Sequence, residues 1–249
     1  MYTRNLLLTI SLCGILGNSA LFAQNKSDIL ETSEGPLTMH FLGHGSVYFE
    51  FQGKTIYVDP FSRVADFSQL PKADAILITH EHGDHLDIDA ISKIRTPRTV
   101  VGVSPVCQGK IEGSTMIGIG RTKNIGGFHV SAEMAYNLVH KRDNGEPYHV
   151  KGQAASYVIM FGDKRIYVGG DTENTPEMKA LKNIDVAFLP MNLPYTMTPE
   201  MVADAAKAFR PKILYPYHFG NSDTDHLVDL LKDETDIDVR VRDFGMSRR

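Results

Sequence analysis

The chain predicts an α/β layered domain, and three features of the sequence carry that prediction. Short runs of β-branched and aromatic residues recur along most of its 249 residues, the early runs follow one another through tight turns, and the later ones alternate with helix-start signals. No Pro/Gly/Ser-rich linker, charge block, low-complexity tract or long-period repeat divides the chain. A single domain over residues 24–249, with a sizeable core, is therefore expected.

The first residues read differently. Arg4 stands ahead of the apolar stretch from Leu6 to Leu16, as in a secretory signal, and a cut after Ala23 would leave Gln24 as the first mature residue. Residues 1–23 are accordingly expected to be a cleaved signal peptide and the product periplasmic or secreted. Thr9, Ser11, Asn18 and Ser19 interrupt the apolar stretch, so no stable membrane span is expected in the mature chain. Lipidation at Cys13 is disfavoured by the bulky Leu12 before it. After the cut Cys107 is the only cysteine, which leaves no intramolecular disulfide to form.

Strands are predicted at 37–42, 47–51, 55–58, 75–78, 99–103, 128–135, 156–161, 165–168, 186–189 and 213–215. Gln52-Gly53 and Gly162-Asp163 supply turns between consecutive members. Thr175-Pro176-Glu177 and Thr198-Pro199-Glu200 each combine an N-cap hydroxyl, a proline in the first turn and an acid that faces the helix dipole. After the second cap Val202, Ala205, Ala206 and Phe209 give an apolar face, which Arg210-Pro211 ends. Further helices are expected over 88–94 and 226–231.

The chemistry is concentrated in His80-Glu81-His82-Gly83-Asp84-His85, which follows the apolar run Ala75-Ile76-Leu77-Ile78-Thr79. Three imidazoles and a carboxylate in six residues, placed where a strand ends, can converge on one point and suit a metal ion. Such ligands favour zinc, then iron or manganese, and the absence of thiolate from the cluster argues for an open catalytic site over a closed structural one. A formal net charge of −4 gives no support to a nucleic-acid or anionic-membrane partner. No Gly-x-Ser-x-Gly elbow or phosphate-cradling glycine loop is present, which weakens serine-hydrolase and nucleotide-driven readings.

The pattern resembles the metallo-β-lactamase superfamily. It is carried by His80, His82, Asp84 and His85, then by Asp171 after Val168-Gly169-Gly170 and His218 after Tyr215-Pro216-Tyr217. The stretches Phe41 to Ser46 and Leu189 to Met197 also resemble its ascorbate-6-phosphate lactonase-like branch of metal-dependent hydrolases. The resemblance implies a four-layer αβ/βα sandwich with the metals at the mouth between the sheets. It further implies one ion held by His80 and His82, a second by Asp84, His85 and His218, and Asp171 bridging, since a carboxylate has two oxygens to offer. Zinc, one or two ions, is the expected cofactor, with a water or hydroxide between the ions as nucleophile and Asp84 as the catalytic residue that positions it.

One expected ligand is replaced. Where the family has its third His, this chain has Asn137, a weak neutral donor, and His149 or His140 are the nearby substitutes. His149 is preferred, because its loop can fold back over the mouth; Lys151 beside it is a candidate to attract a substrate anion. His44 and Tyr195 are candidate contacts to substrate or metal, and Asp59 is expected to stand behind a ligand His as its carboxylate partner.

The leading expectation is a hydrolase that attacks an ester, lactone or phosphoester bond of a small molecule. The alternatives are a metal-dependent sensor or binding protein on the same scaffold, made conceivable by Asn137, and a β-lactamase. A di-iron oxidoreductase is disfavoured because His82 stands where such relatives carry Glu.

Overall fold

The computed structural model describes residues 26–244, so the expected signal segment 1–23, Cys13 included, lies outside the described residues. The first of two seven-stranded sheets contains β1 (Ser27–Thr32), β2 (Gly35–Gly43), β3 (Ser46–Phe51), β4 (Lys54–Val58), β5 (Ala75–Ile78), β6 (Val100–Val103) and β7 (Thr115–Met116), side by side in that order. The second contains β8 (Thr122–Ile125), β9 (Phe128–Ala135), β10 (Ala154–Phe161), β11 (Lys164–Val168), β12 (Val186–Pro190), β13 (Ile213–Tyr217) and β14 (Asp238–Val239). In each sheet the first four strands pair antiparallel and the rest parallel. One topology is thus used twice, although no period in the sequence relates the halves.

Strand alternation decides what each sheet covers. In β5 Ala75 and Leu77 face the second sheet while Ile76 and Ile78 face outward; in β12 Val186 and Phe188 face the first sheet while Ala187 and Leu189 face outward. Both faces are buried, which is why these strands read as unbroken apolar runs. The layer between the sheets is aromatic at its centre, with Phe41, Phe188 and Tyr215 in mutual ring contact.

Helix α1 (Ile88–Ile94) covers the outer face of the first sheet with Ala90, Ile91 and Ile94. On the second sheet α2 (Pro176–Lys179), α3 (Pro199–Phe209) and α4 (Thr224–Leu231) contribute Met178, Val202, Phe209, Leu227 and Leu231. Each fully buried residue of this kind adds about 1.5–3 kcal/mol by leaving water. The result is the four-layer αβ/βα sandwich. Thr175 and Thr198 cap α2 and α3 by accepting from the Met178 and Met201 amides, and Arg210, in the left-handed conformation, ends α3.

The structure adds β1, β7, β8 and β14 to the expected strands. β1 is an exposed sheet edge of mixed polarity, β8 has three exposed residues, and β7 and β14 have two residues each, so none has the apolar signal of a buried strand. The last helix begins at Thr224, two residues before the expected start, because Asp223 supplies its cap. No helix of the described residues is long and apolar enough to cross a membrane.

Candidate metal centre

Strand ends from both sheets meet at one place. His44 follows β2, Asp59 follows β4 and the His80 to His85 segment follows β5; from the second sheet Asn137 follows β9, Asp171 follows β11 and His218 follows β13. His44, Asp59 and His218 all have positive φ, near +50°, a region in which His and Asp are tolerated but β-branched residues are not. Three strained positions in one small volume mark a site whose geometry is fixed by its surroundings. Gly45 and Gly170 allow the close approach. A Cβ on Gly45 would lie 3.0 Å from His85 Cε1 and 3.1 Å from His218 Cδ2, and one on Gly170 would lie 2.9 Å from Thr79 Cβ.

Two groups of ligating atoms result, and Asp171 belongs to both. In the first, His80 Nε2 and His82 Nδ1 are 3.0 Å apart, His149 Nε2 is 3.3 Å from His82 Nδ1, and Asp171 Oδ2 is 3.5 Å from His149 Nε2 and 3.9 Å from His80 Nε2. In the second, Asp171 Oδ1 is 3.4 Å from His85 Nε2 and 3.6 Å from His218 Nε2, while Asp84 Oδ2 is 3.5 Å from His218 Nε2 and 3.7 Å from His85 Nε2. A tetrahedral ion with bonds of 2.0–2.1 Å needs donors about 3.3 Å apart, so both groups have the spacing of a coordination shell.

The hydrogen bonds behind the rings aim their lone pairs inward. Asp59, fully buried, accepts from the Thr79 amide (2.8 Å), the Thr79 hydroxyl (2.5 Å) and His85 Nδ1 (2.7 Å). With its proton given to Asp59, the Thr79 hydroxyl accepts from His80 Nδ1 (3.0 Å). One carboxylate therefore orients two imidazoles, each left with a bare Nε2 toward the centre. His85 Nε2, His218 Nε2 and Asp171 Oδ1 are buried without a hydrogen-bond partner, a costly state unless a cation is to be bound there.

Electrostatics point the same way. Burial opposes charge on Asp84 and Asp171, but the surrounding imidazoles outweigh it and hold both carboxyls well below their usual range. Burial likewise pulls His85 down, and Asp171, Asp59 and Asp84 together reverse this and push it up to about 10. Burial drives His80 well below its ordinary value, with neighbouring imidazoles adding to the effect and Asp171 opposing it, and burial lowers His149 to about 4. The carboxylates thus gather on the His85 side and favour positive charge there, a proton on the ring or a cation in its place, while the His80 and His149 imidazoles are kept uncharged and available as ligands.

Asn137, the weak donor at the position of the family's third His and a candidate contact to metal or substrate, is not part of that set. Its Oδ1 accepts both the His149 amide and His149 Nδ1, each at 2.8 Å, and its Nδ2 donates to Glu173 Oε1 (3.0 Å) and the Tyr195 carbonyl (2.9 Å). All its polar atoms are engaged, and its role is to turn His149 Nε2 inward. Behind it stands Glu173, a residue the sequence did not single out. Glu173 is fully buried and also accepts from the amides of Leu138, Val139 and His140 and from His140 Nδ1, all at 2.7–2.8 Å. His140 is thereby used to fasten this loop. Lys151 is held by Glu177 (2.7 Å) and the Tyr136 hydroxyl (3.2 Å), which removes it as a free anion attractant.

A cavity of about 360 Å³ opens over both groups. Its lining includes His82, Asp84, Asp171 and His218, together with His44, whose Nε2 lies 2.8 Å from Asp84 Oδ2, and Tyr195. Arg142, which nothing in the sequence singles out, and Tyr148 line it too.

A family model described as the beta-lactamase superfamily domain matches residues 38–218, a span that holds every donor of the two groups. The chain belongs to the metallo-β-lactamase superfamily. It is 31% identical over 197 residues to the UPF0173 metal-dependent hydrolase of Methanopyrus kandleri, covering 72% of this chain and 83% of that one. Identity to the UPF0173 metal-dependent hydrolase of Symbiobacterium thermophilum is 32% over 230 residues, covering 85% and 95%. Among solved structures, a metal-dependent hydrolase from Parabacteroides distasonis superposes with a TM-score of 0.83 at 44% identity, over 88% of this chain and 99% of that one. Those descriptions do not specify the ascorbate-6-phosphate lactonase-like branch.

Proposed function

We propose that this member of the superfamily is a zinc-dependent hydrolase, with manganese or iron as alternatives, that cleaves an ester, lactone or phosphoester bond in a small molecule. The observation that carries the reading is Asp171, whose two oxygens face separate groups of converging imidazoles. The donor set supports this metal choice: imidazole and carboxylate with no thiolate, spaced for bonds of about 2 Å. His80, His82 and His149 would hold one ion, Asp84, His85 and His218 the other, and Asp171 both. Metal bound there supplies Lewis-acid stabilisation of developing negative charge and acidification of a water molecule.

The protein's own groups do the rest. Asp59 and Asn137 fix the tautomers of the ligand histidines from behind. Asp84 has about a third of its side chain open to the cavity, and it stays ionised, so it suits orienting a water molecule and not donating a proton. His44 donates to Asp84 and holds that oxygen in place. The cavity is of a size that admits a small molecule. The names of the relatives support hydrolysis, and the Arg4-led apolar segment supports a periplasmic or secreted location.

The test is hydrolysis of phosphodiester, lactone and β-lactam substrates after loading with zinc, manganese or iron. Turnover should vanish in Asp84→Ala at unchanged far-UV circular dichroism. Undiminished hydrolysis by that variant would refute the role of Asp84, and no hydrolysis by the parent under any loading would favour a binding protein.

A further inference from the structure

The cavity carries one full charge that the reading above leaves without a role. The Arg142 guanidinium makes none of the ion pairs found among the described residues; its contacts are the Tyr148 carbonyl at 3.3 Å, His82 Nε2 at 3.4 Å and the Tyr148 ring, 5.0 Å from Cζ. What sets Arg142 apart from other cations without an ion pair is its place on the cavity wall; Lys151, on the neighbouring loop, is paired with Glu177. Arg142 is also held in place. Its amide donates to the Glu146 carbonyl (2.8 Å), its carbonyl accepts from Gly145 (2.9 Å), and Lys141 pairs with Pro147 across the turn. Tyr148 supports the guanidinium and is itself braced edge-on by Tyr195, at 5.1 Å between ring centres.

The contact with His82 decides what this group is for. His82 turns Nδ1 toward His80 and His149, so as a ligand through Nδ1 it keeps its proton on Nε2. Arg142 then faces another donor at 3.4 Å and cannot bond to it. Two donors side by side on a cavity wall, one of them a charged planar fork, match an oxyanion.

We infer that Arg142, backed by Tyr148, is an anion subsite, and that the substrate carries a carboxylate or phosphate group close to the bond that is cut. The part about the cut bond rests on the proposed hydrolase activity; the anion site itself does not. Carboxylate and phosphate share the chemistry that the fork reads, and the two are separated by experiment.

The experiment compares parent, Arg142→Gln and Arg142→Lys at equal metal content. Calorimetric titration with inorganic phosphate and with glutarate reads binding. The kcat/KM ratio between the 4-nitrophenyl hemiester of glutaric acid and its methylated, uncharged counterpart reads discrimination. Arg142→Gln should weaken at least one anion about tenfold or more and lower the ratio to a similar degree, with Arg142→Lys in between. A fall confined to phosphate assigns a phosphoryl group and one confined to glutarate a carboxylate. Unchanged affinities for both anions overturn the subsite, whatever the esters do. Hydrolysis of neither ester, nor of the phosphodiester, lactone and β-lactam substrates under any metal loading, with Arg142-dependent anion binding intact, would instead sink the hydrolase reading and leave the subsite standing.

Discussion

Asn137→Ala is the sharpest perturbation available, because the side chain touches none of the proposed metal positions and yet fixes one ligand. Its carboxamide makes four hydrogen bonds of 2.8–3.0 Å, two of them to His149. Truncation leaves the His149 amide and Nδ1 without their acceptor in a buried place, at a cost of about 1–3 kcal/mol for each orphaned group, which gives an expected stability loss of about 2–6 kcal/mol. Loss of a partner behind a ligand histidine typically weakens metal binding about 10–100-fold. That loss should fall on the ion held by His80, His82 and His149, while the step that depends on Asp84, His85 and His218 keeps its affinity. Competition with a chromophoric chelator resolves two binding steps, and thermal melting in chelator measures the metal-free stability. Two steps of parental affinity, or an equal loss in both, would show that Asn137 does not act through His149.

Two further outcomes follow from geometry and charge. Gly45→Ala puts a methyl group 3.0–3.1 Å from His85 and His218, so both rings must shift by a few tenths of an ångström; the ion they share should bind about tenfold more weakly, measured by the same competition, with the fold retained in the circular dichroism spectrum. Asp28, half-buried against Arg242, Arg240 and the Tyr215 hydroxyl, has a lowered pKa: burial works against its charge, but the bonds from Arg242 and Tyr215 prevail. A lowered folded pKa means stability that is present above the ordinary Asp value of about 3.9 and is lost as pH falls through the folded value. Urea melts between pH 6 and pH 3 should therefore show a parental decline that is shallower in Asp28→Asn, and an identical slope in the two proteins would count against the assignment.

How far the sequence could be read depended on whether a residue's meaning was local. β5, β9 and α1 lie at their expected bounds, because buried apolar runs and an Asp87 cap are local signals. The hexapeptide from His80 to His85 announced itself by composition. Asn137 misled, since its place after β9 suggested a ligand, whereas its function depends on the His149 loop returning twelve residues later. Glu173 was illegible for a related reason: within Asp171-Thr172-Glu173-Asn174 it reads as a solvated acid, and only the closing of the Leu138 to His140 amides around it makes it a buried anchor. Arg142 sits in a polar turn that any surface could carry, and its direction is set by Tyr148 and His82, which no sequence pattern connects to it.

The doubled topology has a consequence for how a cation could be acquired. His80 and His82 come from the first seven strands' half of the chain, and His149 and Asp171 from the second; Asp84 and His85 are likewise met by His218 and the same Asp171. Each proposed ligand set is thus split two and two across the seam. A chain still emerging from the ribosome, with one half made, has only a pair of donors for either ion, so tight capture waits until translation has finished and the halves have closed on each other. Affinity for metal is in this sense a certificate of completed assembly, issued by neither half alone.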